Sequence, residues 1–217
     1  KDNINKLINY GYNIIGPEIG DMACGEFGQG KMTDPKDILK HVDKYFTNLN
    51  QNTNLKALVT AGPTHEYIDP VRFITNKSSG KQGFELAKSL SKKGFETTLI
   101  SGPTNLKVDK NINLIKVETA EQMFRATQNN LPADVAIFAA AVSDFKIQEK
   151  KKQKIKKEDF ININLEKNID ILNYVSNHNS LRPKLVIGFA AETNNIKDNA
   201  KKKLAEKNCD WIIANDV

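Results

Sequence analysis

The chain has 217 residues, 39% hydrophobic and 27% charged, with 32 Lys and Arg against 26 Asp and Glu for a formal charge of +6. That length can bury a sizeable core and the composition is ordinary for a globular protein, which excludes wholesale disorder. No apolar run approaches the ~18 residues of a membrane span, the start KDNINKLINY lacks the apolar segment of a signal peptide, and Cys24 and Cys209 are too few for a disulfide scaffold or a four-cysteine zinc site. A cytoplasmic protein with no membrane partner is expected.

Residues 1–47 do not read as a complete domain. They hold a Gly-rich turn region, IIGPEIGDMACGEFGQGKM, and then a helix signal. There Thr33 or Asp34 can N-cap, Pro35 suits the first turn, and Ile38, Leu39, Val42 and Phe46 form an apolar stripe. The polar stretch at 48–54 reads as a linker. From residue 55 onward strand and helix alternate. Residues 55–62 (LKALVTAG) form a continuous β-rich run ending at Gly, as a buried parallel strand does. Residues 78–94 start with a Ser/Gly turn and continue as a helix to Gly94. Strands follow at 95–102 and 112–117, then a helix at 119–130 capped by Thr119. Buried strands at 134–142 and 184–193, a helix at 195–209 and a strand at 211–216 complete the chain. This alternation predicts an α/β fold, a doubly wound, Rossmann-like and mostly parallel sheet with helices on both faces.

The +6 charge sits in one place. Residues 146–157, KIQEKKKQKIKK, carry seven Lys and one Glu, which leaves 25 basic and 25 acidic residues elsewhere. The excess is therefore a loop and not a basic surface. No aromatic residue interleaves the lysines from 150 to 157 to stack on bases, which argues against a nucleic-acid partner. The run is either a solvated mobile loop or a set of flexible point charges that close over a polyphosphate. Ile155, apolar among the lysines, points to a part of the loop that docks.

In doubly wound sheets ligands bind beyond the carboxyl ends of the strands. The segments leaving those ends are TAGPTHEYIDPVRFITNKSSGKQG, SGPTN, AAAVSDF and GFAAETNN. Ser78, Ser79, Gly80 and Lys81 are a candidate phosphate cradle, or simple helix capping. A P-loop is excluded because Thr75 occupies the place of its first Gly, and the first strand is followed by GPTHEY and not G-x-G-x-x-G, which disfavours hydride transfer. Arg72 and Asn76 lie between a Pro-fixed turn (Asp69-Pro70) and the cradle, and a guanidinium and an amide can orient a carboxylate or phosphate, or serve the loop alone. Asp144 follows a buried strand, where it is either a cap or a holder of a hydroxyl, an amine or a metal-bound water. Lys203 and Lys207 share one helix face as a second cationic wall or as plain solvation. The three histidines, His41, His65 and His178, have no metal-ligand spacing.

Taken together, TAGPTHEYIDPVRFITNKSSGKQGFELA, AAAVSDF, KIKK, NIDIL and GFAAETNN resemble the phosphopantothenate–cysteine ligase half of the bifunctional coenzyme A biosynthesis proteins. The upstream GPEIGDMACGEFGQGKM resembles the tail of their flavin-dependent decarboxylase half. The resemblance implies a decarboxylase remnant over 1–47, a linker over 48–54, and a ligase domain over 55–217 that is short at its C-terminal end. It implies joining of 4′-phosphopantothenate to L-cysteine, driven by CTP through an acyl-cytidylate. Mg²⁺ would accompany the triphosphate without a protein metal cage, and FMN would belong to the decarboxylase. The site would form in a homodimer of ligase domains.

By the same resemblance Lys154 serves activation, and Asn76 binds the acyl intermediate with Arg72 and Ala141 beside it, Ala141 acting across the dimer interface. Asp144, Lys154, Ile169, Asp170, Ile171, Leu172, Phe189, Lys203 and Lys207 contact the nucleotide, and Cys24 is the decarboxylase proton donor. Ile169 stands where proline is common in this family, at the segment whose backbone helps choose CTP over ATP, and Lys31 stands where arginine is usual.

Overall fold

The computed structural model describes residues 2–12, 14–21, 25, 27–50, 55–158 and 162–216, the side chains of 45–50 excepted. The chain divides into two compact units, residues 1–52 and 53–217. Unit 1 contains α1 (Asp2–Asn9), an antiparallel hairpin of β1 (Glu18–Asp21) and β2 (Phe27–Lys31), and α2 (Pro35–Asn50). Asp34 caps α2, its Oδ1 accepting from the Lys36 amide at 2.8 Å. The helix continues through residues 48–50, which composition assigns to a linker. Polar residues with adequate helix propensity extend a helix that is already nucleated. Leu39 and Val42, two members of the expected stripe, are exposed.

Unit 2 opens with β3 (Lys56–Ala61), the hairpin strands β4 (His65–Tyr67) and β5 (Phe73–Thr75), α3 (Lys81–Lys92), β6 (Glu96–Ser101) and β7 (Ile112–Lys116). It continues with α4 (Ala120–Asn129), β8 (Val135–Phe138), a second hairpin of β9 (Phe145–Ile147) and β10 (Leu165–Lys167), and α5 (Ile171–Ser176). The last elements are β11 (Leu185–Glu192), α6 (Ile196–Lys207) and β12 (Trp211–Asp216). Six of these strands form one sheet in the order β12-β11-β8-β3-β6-β7, and every pairing in it is parallel. By order of appearance this is the doubly wound 3-2-1-4-5-6 arrangement, with its switch between β3 and β8.

Side-chain alternation along the strands builds two cores. Leu58, Ile100, Ala136 and Val186 point to one face, where Met123 of α4 and Ile171, Leu172 and Val175 of α5 cover them. Their neighbours Val59, Leu99, Ile137 and Ile187 point to the other, against Phe84 and Ala87 of α3. Burial on both faces is why these strands read as unbroken apolar runs. Thr119 caps α4 in a full capping box with Gln122, as its sequence predicts. The β8 ladder is shorter than its apolar run, ending at Phe138. Beyond it the chain still follows β3, with Ala139 N–H donating to Thr60 O at 3.2 Å and Ala141 N–H to Gly62 O at 2.9 Å.

Two aspartates stitch the opposite, N-terminal edge of the sheet. Asp134 Oδ2 accepts from the Lys56 amide at 2.9 Å while its Oδ1 takes Lys184 Nζ at 3.1 Å. Asp210 Oδ2 accepts from the Val186 amide at 2.7 Å and its Oδ1 from Arg182 at 3.0 Å. The Lys56 amide and Lys184 together outweigh burial and hold the Asp134 carboxyl below its ordinary value. Burial pushes Asp210 up, but the Val186 amide and Arg182 more than offset it and the net shift is again downward. Among the described residues, no helix is long and apolar enough to cross a membrane.

Two outcomes are expected. A Cβ added at Gly102 would lie 1.7 Å from the Pro63 carbonyl oxygen, a backbone atom that cannot step aside. Gly102→Ala is expected to destabilise unit 2 by about 3 kcal/mol in urea unfolding, as overpacking of a rigid site does. For the aspartates the folded-state pKa lies below the unfolded one, so their stabilisation is complete above the ordinary value of 3.8 and is lost as the pH falls below it. Asp134→Asn and Asp210→Asn should each flatten the fall of stability between about pH 5 and pH 2 in acid-unfolding curves.

Candidate functional site

The switch point produces a cleft. As β3 and β8 leave the sheet their continuations diverge, and together with the end of β11 they leave an open cleft of about 1110 Å³. Thr60, Phe138 and the run from Ala139 to Ser143 line its base, where the three alanines and Ser143 are small enough to let a ligand reach the backbone. Asn76, Lys77, Ser78 and Gln82 border one side. The segment from Lys167 to Leu172 and the α6 residues Asn199, Lys202, Lys203, Glu206 and Lys207 border the other.

Each cleft side chain is held by a local cause. Asn76 follows β5 directly, and its Nδ2 donates to the Val142 carbonyl at 3.0 Å, tying the hairpin exit to the strand-end backbone. Asp170 is the N-cap of α5, its Oδ1 accepting from the Asn173 amide at 2.8 Å, while Oδ2 pairs with Lys207 Nζ. The hydrogen bond to Asp170 outweighs burial and, with the charges of Asp170, Glu206 and Asp144, holds the Lys207 ammonium above its ordinary value. One turn earlier, Lys203 Nζ donates to the Phe189 carbonyl at 2.8 Å, using one of its three donors at the carboxyl end of β11. Lys203 and Lys207 are thus a half-buried cationic pair anchored at one end of the cleft, and Lys202 adds an exposed charge beside them. The Asn168 amide donates to the Asp144 carbonyl at 2.8 Å, and the Ile169 amide to Asn168 Oδ1 at 3.0 Å. This last bond exists only because residue 169 is not proline.

The phosphate cradle is partly realised. Gly80 takes φ 74° as the N-cap of α3, with no side chain capping the helix. A Cβ there would lie 3.2 Å from Gly62 and 2.9 Å from Thr104, so the αL turn and the close approach both require glycine. Ser78 and Ser79 hydroxyls accept from the Gly80 and Lys81 amides at 3.2 and 3.4 Å, which are turn contacts. Ser78 faces the cleft, whereas Ser79, Gly80 and Lys81 are not among its lining residues.

Arg72 and Lys154 do not line the cleft either. Arg72 turns away to the lysine loop, donating to the Ile155 carbonyl at 2.9 Å and pairing with Asp69 at 3.4 Å. The lysine run is therefore docked at Ile155, the apolar residue its sequence singles out, while Lys154 beside it is exposed. Its first residues, Lys146 and Ile147, belong to β9. Asn76, Ser78, Ala141, Asp144, Ile169, Asp170, Ile171, Leu172, Phe189, Lys203 and Lys207 do come together in the cleft. Cys24 lies outside the described residues.

Five polar cleft residues lie outside every segment that the sequence marks as a candidate site: Lys167, Asn199, Lys202, Glu206 and Asn215. Glu192 and Asn199 are joined by a 2.7 Å hydrogen bond between segments seven residues apart, and polar residues on an exposed helix carry no local mark of such a role. From the sequence Asp69-Pro70 reads only as a turn, although an Asp-Pro pair at the first two positions of a turn also signals that the carboxylate bonds the following amides.

Residues 52–217 match the family described as the DNA/pantothenate metabolism flavoprotein C-terminal domain. The whole chain is similar to the coenzyme A biosynthesis bifunctional proteins CoaBC of Haemophilus influenzae (44% identity over 219 residues) and Vibrio cholerae (40% over 221). It spans 54% and 55% of their respective lengths, about half of each. A crystal structure of the C-terminal domain of a CoaBC protein aligns at 40% identity with a TM-score of 0.66, covering 77% of this chain and 80% of that one. With the parallel sheet, the cleft at its switch point and the motif residues gathered there, this chain belongs to the DNA/pantothenate metabolism flavoprotein C-terminal domain family.

Proposed function

We propose that the second unit is a phosphopantothenate–cysteine ligase of coenzyme A biosynthesis. It joins 4′-phosphopantothenate to L-cysteine with CTP as the activating nucleotide. The observation that carries this reading is the convergence, in one cleft at the switch point, of an anchored lysine pair, small strand-end residues and Asn76. A carboxylate is a poor acyl donor until its oxygen becomes part of a good leaving group. In the first step a carboxylate oxygen of phosphopantothenate bonds to the α-phosphorus of CTP, and the bond to pyrophosphate breaks. In the second the cysteine amine bonds to the acyl carbon, loses a proton, and CMP departs from the acyl-cytidylate.

The chain's own contribution is positioning and charge. Lys203 and Lys207 carry positive charge toward the triphosphate, and Lys154 follows charge moving onto the departing pyrophosphate. Asp144 and the segment Ile169 to Leu172 hold ribose and base, with Phe189 beside them. Asn76, Ala141 and Arg72 hold the acyl intermediate, with Ala141 contributed across a homodimer interface. Ser78, Ser79, Gly80 and Lys81 receive the substrate phosphate at the start of α3.

Mg²⁺ bound with a triphosphate takes most of its ligands from phosphate and water, with one or two carboxylates. Among the described residues no group of three or more His, Cys, Asp and Glu is placed to hold a metal, and exposed Asp144 at the cleft is the carboxylate that suits such an ion. When bound, Mg²⁺ would neutralise charge on the triphosphate. Residues 1–47, joined through 48–54, are proposed as the C-terminal part of a flavin-dependent decarboxylase domain. FMN belongs to that activity, as does Cys24 in its proton-donor role.

The test is pyrophosphate release and product formation with phosphopantothenate, cysteine and each nucleoside triphosphate. CTP is expected to support turnover best, and absence of a cysteine-dependent product with every nucleotide would refute the assignment. Lys154→Ala is expected to slow acyl-cytidylate formation by roughly 10²–10³-fold, the usual loss for one donor to a developing anion. Asn76→Asp should instead let the intermediate form and accumulate, visible in a single-turnover quench, while its aminolysis slows.

A further inference from the structure

We propose that Asp69 is a positioning residue of the ligase, a latch that holds the lysine loop by the Ile155 peptide and so fixes the backbone next to Lys154. The proposal rests on the reading of Lys154 as the activation lysine. Asp69 is 1% exposed, and its carboxylate sits in a ring of donors. Oδ1 accepts from the Val71 and Arg72 amides at 2.8 and 2.9 Å, closing the turn between β4 and β5. Oδ2 accepts from the Ile155 amide at 3.2 Å and pairs with Arg72 at 3.4 Å. Arg72 in turn donates to the Ile155 carbonyl at 2.9 Å, so one acid–base pair grips both backbone polar groups of a single residue. A second tie, from the Lys151 amide to the Ile68 carbonyl at 2.9 Å, leaves Lys152, Gln153 and Lys154 between two anchored points.

The arm that holds the latch is itself fixed. Glu66, 2% exposed, accepts from the Ala120 amide at the start of α4 at 3.0 Å. The His65 amide donates to the Glu118 carbonyl at 2.7 Å, and Tyr67 Oη to Glu118 Oε2 at 3.1 Å. His65 and Phe73 stack across the hairpin with ring centroids 3.9 Å apart. The same hairpin ends in Asn76, which lines the cleft. One rigid hairpin therefore carries a cleft residue at its exit and the loop anchor at its turn, which sets the loop in register with the cleft. Three lysines flank the docked residue (154, 156 and 157), and the buried carboxylate places a negative charge beside the backbone that carries them.

Asp69→Asn separates the two jobs of the carboxylate. An amide can keep its oxygen on the Val71 and Arg72 amides, which preserves the turn. Its NH₂ then faces the Ile155 amide and Arg72, donors against donors, and the latch is lost. In the full chain, amide hydrogen exchange at Ile155 should accelerate by about tenfold or more while Val71 and Arg72 stay protected, as expected for one lost charge-assisted bond. Pyrophosphate formation should slow by at least about tenfold with the KM for CTP within about twofold, the signature of a lost transition-state contact. Aminolysis of preformed acyl-cytidylate should slow less than activation does, since Asn76 and Ala141 keep their places and only the Arg72 contact is disturbed. Asp69→Asn in a Lys154→Ala background should cost nothing further, because the latch acts through that lysine.

Multiplicative losses in the double variant, or faster Ile155 exchange with unimpaired activation, overturn the positioning role even if Lys154→Ala is inactive. Lys154→Ala that activates normally overturns the role of Lys154 instead, and the proposal with it.

Discussion

The parallel pairing of β3 with β8 is the constraint on which the site depends. These strands are neighbours in the sheet yet far apart in the chain, and their register holds Ala57 opposite Val135 and Thr60 opposite Phe138. Past the ladder the two backbones stay together for a few residues, bridged at Pro63 and Ala141. They then part, one toward the hairpin and α3, the other toward Asp144 and the lysine loop. A cleft opens where two paired strands send their chains apart, and the atoms at its base are main-chain groups whose places are set by the sheet. Glycine recurs along this seam for the same reason: Gly62, Gly80 and Gly102 mark points where one backbone passes within contact of another.

Charge in the molecule is organised by what it is bonded to and not by how much there is. The lysine-rich loop looks like a single cationic feature in one dimension. In space it is divided: Lys146 lies in a hairpin and pairs with Glu166, Lys151 is tied by its amide, Ile155 is gripped by Asp69 and Arg72, and Lys154 is exposed. Similarly, Lys203 and Lys207 stand on one face of α6, but only their bonds to the Phe189 carbonyl and to Asp170 turn helix lysines into a fixed wall of the cleft. Burial of a carboxylate among backbone amides costs little when every acceptor site is used. That is why Asp69 tolerates almost complete removal from water.

Much of the architecture was legible in the residues alone. The sheet strands are runs rich in apolar and β-branched residues, the four inner ones buried on two faces, and α4 announces itself by Thr119 at its cap. The three hairpins outside the sheet were not read. Strands of three to five residues such as His65–Tyr67 and Phe145–Ile147 are too short for a period to register. The site was legible where a residue type implied its own surroundings, as with small residues at strand ends. It was obscure where partners lie some eighty positions apart: Arg72 reads as a guanidinium that can orient a ligand or serve the loop alone, and nothing local reveals its bond to the Ile155 carbonyl.

By itself, then, the sequence determined the α/β class, the order of the sheet strands, the family and many of the cleft's lining residues, because each follows from local periodicity, strand-end chemistry or motif. Tertiary structure alone decided where the lysine loop docks, that Arg72 bonds the Ile155 carbonyl, and that Asp69 is the acid between them. The physical reason is that a hydrogen bond or ion pair between distant segments depends on where the sheet delivers them, and no pattern confined to one segment encodes that meeting.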